Sequence, residues 1–195
     1  YGEDNTLFLS DGDNIGASLF ASSYFKDEPT LEVLNALGLK ASAVGNHEFD
    51  KGIADLTGRV AESADFTYLG ANVYDAKTGE VLLPEYATFT VDGLTVAVIG
   101  AVTEETPSLV SPDGITGVSF GDPVAAVNRV AAQLTDGDPA NGEADVIIAE
   151  YHEGASAGTP DKSTLEQEVD HGGAFASIVE YTSASVDAIF TGHTH

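Results

Sequence analysis

Cysteine is absent from this 195-residue chain. No disulfide framework and no thiolate metal site can form, so any metal must be held through nitrogen and oxygen. Methionine is absent too, including at position 1. The chain starts almost directly on an apolar run, Leu7-Phe8-Leu9, and stops on His195. Both ends read as cuts in a longer protein, and a signal peptide ahead of Tyr1 is compatible with that reading. No stretch of about 18 apolar residues occurs, so no membrane-spanning helix is expected. Basic residues are scarce: 7 Lys and Arg stand against 32 Asp and Glu, a net charge of −25. A surface of that sign repels nucleic-acid backbones and anionic lipid, so neither nucleic acid nor membrane is expected as a partner. An anionic substrate needs a local positive focus, and bound divalent cations supply one where basic side chains do not.

What is present fits one globular domain with a sizeable core, since 43% of the residues are hydrophobic. Apolar runs alternate with helical periodicity. The pattern predicts strands over 7–9, 41–44, 66–73, 146–149 and 188–190. It predicts helices over 15–25, 30–37, 53–63 and 174–182, with Gly38 as a C-cap. A further helix runs to Leu134, capped by Asp122 with Pro123 in its first turn. Asp92-Gly93 between apolar runs predicts a hairpin. Residues 136–143 read as a turn-rich surface loop and 153–170 as an acidic loop. Together these predict a layered α/β/α domain with a mixed central sheet.

Four predicted strands end in polar clusters: Asp11-Gly12-Asp13-Asn14, Gly45-Asn46-His47-Glu48, Glu150-Tyr151-His152-Glu153 and Thr191-Gly192-His193-Thr194-His195. In open α/β sheets, ligands bind outside the carboxyl ends of strands. Four of the five His residues lie in these clusters, and only His171 falls elsewhere. Taken singly, Asp13 also fits a turn or a helix cap. An EF-hand is excluded, because Ile15 and Ser22 stand where ligands are required. Asn46 offers a neutral amide oxygen as a metal ligand, His47 an adjacent imidazole free to meet substrate, and Asp50 a carboxylate able to fix the His47 tautomer. Glu48 is expected to be structural. His152 is not part of a zincin helix, since Ser156 replaces the second His; a packing role is the alternative. His193 and His195, two apart in an extended segment, face one side. An Asp, Asn and His set without sulfur suits Zn²⁺, Mn²⁺, Fe or Co better than Ca²⁺ or Mg²⁺.

The ordered motifs GD, GNHE, H and GHTH resemble those of the calcineurin-like metallophosphoesterases. The stretches GDNIGAS, GNHEFDKG, VIGAVTEET and GHTH are closer still to the bacterial 5′-nucleotidase and 2′,3′-cyclic-nucleotide phosphodiesterase branch. The resemblance runs from Leu7 to His195. It implies that Asp13 bridges two divalent metal ions, that Asn46, His152 and His193 complete one site, and that His195 serves the other. It implies that His47 stands beside the scissile phosphate, oriented by Asp50. One departure is plain. The Asp-x-His motif that the family carries after its first strand is not found before Leu7, so the metal site of His195 keeps only Asp13 and His195. The family's nucleoside-gripping C-terminal domain is likewise not found, and the catalytic domain is expected to be incomplete.

The expected activity is metal-dependent hydrolysis of a phosphate ester of a nucleotide. A 2′,3′-cyclic-nucleotide phosphodiesterase, a nucleotide-sugar hydrolase, an inactive fragment retaining a single metal ion and a metal-free acidic binding module are the competing expectations. An extracellular or cell-surface location is expected from the resemblance and the acidic, Cys-free composition.

Overall fold

The computed structural model describes residues 2, 5–155 and 162–194. In chain order the strands are β1 (Leu9–Ser10), β2 (Ala41–Ala43), β3 (Thr67–Leu69), β4 (Val73–Asp75), β5 (Tyr86–Val91), β6 (Leu94–Val102), β7 (Val118–Phe120), β8 (Val146–His152) and β9 (Ala188–Thr191). The helices are α1 (Phe20–Ser23), α2 (Glu28–Leu37), α3 (Ile53–Asp55), α4 (Ala61–Ser63), α5 (Thr106–Leu109), α6 (Pro123–Gln133), α7 (Leu165–His171) and α8 (Gly173–Tyr181). No helix among the described residues is long and apolar enough to cross a membrane.

The layered α/β arrangement with a mixed sheet follows the sequence pattern, and its central layer is built from two sheets. β1, β2 and β3 form a parallel sheet in that order. β5, β6, β8 and β9 form the other; β5 is antiparallel to β6, and β6, β8 and β9 run parallel. The hairpin turn carries Asp92 at φ 50° and Gly93 at φ 81°, the double left-handed geometry that matches strand twist. Ala41, Leu69 and Val98 pack between the sheets with Leu9, Phe89 and Ile148. On the outer side of the first sheet, Leu31, Phe49, Leu56 and Val60 form one core. Val127 and Val130 of α6, with Leu134 at its C-cap, join Ile99, Ile147 and Ile178 in another.

Small residues let the sheets approach. A Cβ on Gly100 would lie 2.5 Å from Leu69 Cβ and 3.0 Å from Ala43 Cα. The Ala71 N–H donates to Gly100 O at 2.7 Å, and the Ala43 N–H donates to the buried Glu150 carboxylate at 3.0 Å. Polar bonds thus join the two sheets in the interior.

Three expectations are corrected. The helix over 15–25 shrinks to α1, because Gly16 takes φ 88° and Leu19 has an extended ψ of 147°, so the backbone leaves the helical region twice before α1 begins. The Gly16 N–H donates to Asp27 and that of Ala17 to Asp50. The strand over 66–73 divides into β3 and β4; between them buried Asn72 bonds both the Val102 N–H and the Val102 carbonyl. Within the expected loop over 153–170, Thr164 and Gln167 form a reciprocal capping box that starts α7. Residues 156–161 of that loop lie outside the described residues. The helix over 53–63 does form, with a π turn at Leu56–Val60. The Asp122 cap accepts the Val124 and Ala125 N–H groups at 2.8 and 3.0 Å.

Replacing Gly100 by Ala must push backbone and Leu69 apart. Overpacking of this kind is expected to lower stability by about 1–3 kcal/mol, measured by urea denaturation. A change below about 0.5 kcal/mol contradicts the close approach.

Candidate metal centre

The loops after β1, β2, β8 and β9 meet at one end of the paired sheets. His152, at the end of β8, is 1% exposed and is the hub. Its Nδ1 lies 2.5 Å from the Asp11 carbonyl. A carbonyl only accepts, so Nδ1 carries the proton and Nε2 offers a lone pair. Around Nε2 stand Asp13 Oδ2 at 3.1 Å, Asn46 Oδ1 at 3.1 Å and His193 Nδ1 at 3.2 Å. Ligand atoms of Asp13, His152 and His193 all lie within 4.8 Å of one another. Donor atoms about 2.1 Å from one cation stand roughly 3.0 Å apart at right angles and roughly 3.4 Å apart at a tetrahedral angle. The observed spacings fit that range. A single proton on His152 Nε2 can satisfy one neighbouring lone pair, whereas a cation satisfies all of them together.

The electrostatics agree. Burial works to raise the Asp13 carboxyl, but hydrogen bonding and charge from His152, with the His47 N–H, hold it below the usual range. Burial works to lower His152, but hydrogen bonding and charge from Asp13, with the Asp11 carbonyl and the Glu48 charge, leave its imidazole raised. Burial and the charge on His152 lower His193. Two of these residues also sit in left-handed backbone, Asp13 at φ 53° and His193 at φ 72°. Such conformations are uncommon outside glycine and gather at functional sites.

Glu48 holds the first two loops together. Its Oε2 accepts the Gly45 N–H at 2.6 Å and the Asp13 N–H at 2.9 Å. Its Oε1 accepts the Asn14 N–H at 2.8 Å and that of Ile15 at 3.3 Å. The structural role expected for Glu48 is therefore specific: it clamps the Asp13 loop onto the Asn46 turn. Burial and the Asp13 charge push its carboxyl up to about 7, against the pull of the Gly45 and Asp13 N–H groups. A Cβ on Gly45 would collide with Asp13 Oδ1 and lie 2.6 Å from Asp13 N, so only glycine lets the loops close.

His47 begins the short 3₁₀ turn His47–Phe49. Its N–H donates to Asp13 Oδ1 at 3.0 Å. Its Nδ1 lies 3.0 Å from Asp50 Oδ2, which makes Nδ1 the donor and leaves Nε2 as acceptor. Asp13, Asn46, His47 and His193, with residues 15–18, line a cavity of about 300 Å³. His195 lies outside the described residues.

Two acids escape a sequence reading focused on motifs. Asp11 supplies the carbonyl that sets the His152 tautomer. Its own Oδ1 is buried without a hydrogen-bond partner, and burial, opposed by the His152 charge, pushes its carboxyl up to about 6. Glu150 is buried beside it; burial and the Asp11 charge push it up to about 8. The signal for Glu150 was a lone acid inside the apolar run of β8.

The family profile of the calcineurin-like phosphoesterases matches residues 2–195. A 5′-nucleotidase of Vibrio cholerae is 37% identical over 150 residues, covering 77% of this chain and 26% of that protein. The endonuclease YhcR of Bacillus subtilis is 33% identical over 204 residues, covering 98% of this chain and 15% of that protein. The chain therefore spans about a quarter or less of these relatives' lengths. The crystal structure of the calcineurin-like phosphoesterase YfkN from Bacillus subtilis superposes with a TM-score of 0.71 at 26% identity, over 98% of this chain and 59% of that one.

Replacing Glu48 by Gln puts an amide NH₂ where N–H donors converge. In metal-free protein it is expected to cost about 1.5–3 kcal/mol, read by urea denaturation; an unchanged midpoint contradicts the clamp. Added Mn²⁺ or Zn²⁺ is expected to raise Tm of the wild-type protein by linkage, and His152→Ala to remove that rise. A metal-induced rise that persists in His152→Ala places the cation elsewhere.

Proposed function

The chain belongs to the calcineurin-like phosphoesterase family, and from that premise we propose that it forms the catalytic centre of a metal-dependent hydrolase acting on phosphate esters of nucleotides. The observation that carries this reading is the convergence of Asp13, Asn46 and His193 on His152 Nε2 at 3.1–3.2 Å. Those four residues would hold one divalent ion, and the family resemblance implies that Asp13 and His195 would serve a second. Divalent cations bound there supply Lewis-acid polarisation of the phosphoryl group and a water acidic enough to react near neutral pH.

The protein's own groups do the remaining work. Asp13 keeps its negative charge, held low by His152 and the His47 N–H. Asp11 holds the proton of His152 on Nδ1, so the opposite nitrogen stays free to bind. Asp50 does the same for His47, turning Nε2 toward substrate. Protonated there, His47 donates to the developing charge or to the departing alkoxide oxygen, a role worth about 10²–10⁴-fold. The acidic shell repels an anionic ester everywhere except at the cation site. Nucleotide esters are favoured as substrates because the Vibrio cholerae relative is named a 5′-nucleotidase. An extracellular or cell-surface location belongs to the same proposal.

Hydrolysis of 4-nitrophenyl phosphate by the protein tests the reading. Turnover is expected with Mn²⁺ or Zn²⁺ and to be lost after chelation; metal-independent turnover, or none under any metal, refutes it. His47→Ala is expected to lower kcat about 10²–10⁴-fold, with the metal-induced rise in Tm retained. A loss of that rise as well would make His47 a ligand and not an acid.

A further inference from the structure

Asp27 stands at the N-terminus of α2 but does not cap it: its side chain makes no hydrogen bond to that helix. An aspartate at this position ordinarily accepts N–H groups of the first turn. Here the carboxylate turns away and is fully buried. It accepts the Gly16 N–H at 3.3 Å, the Ser18 hydroxyl and the Lys51 ammonium at 3.2 Å. Burial acts to raise this carboxyl, but these donors and the Ser22 hydroxyl bring it below the usual range. Lys26 and Asp27 are both left-handed, at φ 57° and 66°, and Arg59 Nη1 donates to the Lys26 carbonyl at 3.0 Å. Non-glycine residues persist in that region only where their surroundings over-determine them.

What Asp27 holds lies directly against His47. The Gly16 and Ala17 amides are successive: the first donates to Asp27 Oδ2, the second to Asp50 Oδ2 at 3.2 Å. That Asp50 oxygen is also the one 3.0 Å from His47 Nδ1. A Cβ on Gly16 would collide with His47 O and lie 2.7 Å from both Asp50 Oδ2 and His47 Cβ. The two carboxylates are thus held on neighbouring amides, of residues whose Cα atoms are about 3.8 Å apart. Lys51 follows Asp50 directly in the chain, and its flexible four-carbon stem brings either carboxylate within reach of one ammonium.

Which carboxylate takes the ammonium matters to His47. An ammonium brings a full charge to a carboxylate, where a neutral imidazole brings only a dipole. Lys51 on Asp50 would therefore loosen the bond that fixes the His47 tautomer. Asp27 wins the ammonium because it is fully buried, and unit charges attract more strongly there than at an exposed carboxylate such as Asp50.

We propose that Asp27 is a positioning residue: it keeps the Lys51 ammonium away from Asp50 and so leaves Asp50 to orient His47. The effect on rate rests on the phosphoesterase reading; the effect on the His47 tautomer does not. Misplacing a catalytic group through a remote change costs about 10- to 100-fold in rate.

The test compares wild-type protein with Asp27→Asn and with Asp27→Asn/Lys51→Met. With Mn²⁺ and 4-nitrophenyl phosphate, Asp27→Asn is expected to lower kcat about 10- to 100-fold, with KM within about 2-fold and the metal-induced rise in Tm retained. The double variant is expected to recover kcat to within about 3-fold of wild type, since no ammonium is left to misplace. A double variant as slow as Asp27→Asn makes Asp27 a merely structural residue and overturns the proposal, as does wild-type kcat in Asp27→Asn. If Asp27→Asn does not fold, Asp27→Ser, which keeps a hydroxyl for the Gly16 N–H, takes its place in both comparisons. Long-range ¹H–¹⁵N NMR of the metal-free protein at about pH 8.5, above the ordinary imidazole range, reads the His47 tautomer without turnover. The His47→Ala spectrum identifies its signals. Wild-type His47 is expected to carry its proton on Nδ1, Asp27→Asn to mix in the Nε2–H form, and the double variant to return to Nδ1–H. That pattern with no hydrolysis by any variant supports the positioning role while the hydrolase reading falls. A tautomer unchanged in Asp27→Asn, or one already on Nε2 in the wild-type protein, overturns the role whatever the rates.

Discussion

The Glu48 carboxylate accepts N–H groups from Gly45 on its own loop and from Asp13, Asn14 and Ile15, 33 to 35 residues away. A buried carboxylate costs free energy unless it is matched by donors. Here the donors are backbone groups of the two loops that carry the ligand candidates. Satisfying Glu48 and assembling the centre are therefore one event. The Asp13 backbone is fixed in a left-handed conformation with its carboxylate turned to His152 and to the His47 N–H. The Asn46 turn is fixed with its amide 3.1 Å from His152. Gly45 makes the approach sterically possible, and β1 and β2, paired in parallel, deliver both loops to the same end of the sheet.

Around that clamp lies a sequence of positioning contacts that each act at one remove. Asp11 sets His152, Asp50 sets His47, and Asp27 anchors the loop that Asp50 also touches. Asp11 acts through its backbone carbonyl, Asp50 through an exposed carboxylate, and Asp27 through a buried one that takes an amide, a hydroxyl and an ammonium. Asp27 and Glu48 thus put part of the chain's negative charge in the interior. Asp11, half-buried with its Oδ1 unpartnered, and Glu150, fully buried beside it, show the opposite condition: short of donors, their carboxyls are raised to about 6 and about 8. A cation near His152 would ease that local excess as well as filling the gap between the facing lone pairs.

The order of the motifs, the hairpin at Asp92-Gly93, the α6 cap at Asp122 and the helix ended by Gly38 were all readable in the sequence, because each rests on contacts within a few residues. The Thr164 and Gln167 capping box was equally local and was hidden only by the acidity around it. The helix expected over 15–25 failed for a different reason. Its apolar spacing is real, but Gly16 in left-handed and Leu19 in extended backbone break the helical path, and Leu19, Phe20 and Tyr24 are left in solvent. The strand expected over 66–73 was broken by Asn72, whose partners Val102 and Gly121 are 30 and 49 residues away.

The sequence by itself determined which chemistry was available: imidazole, amide and carboxylate donors, no thiolate, and a charge that demands a cation for any anionic ligand. It also determined where along the chain those donors stand, at the ends of apolar runs. Only the tertiary structure decided which lone pairs share a point, which nitrogen of His152 is free, and which buried acid holds the loops in place. Those outcomes depend on distances between segments as many as 141 residues apart, and no periodicity or local propensity encodes an orientation across that span.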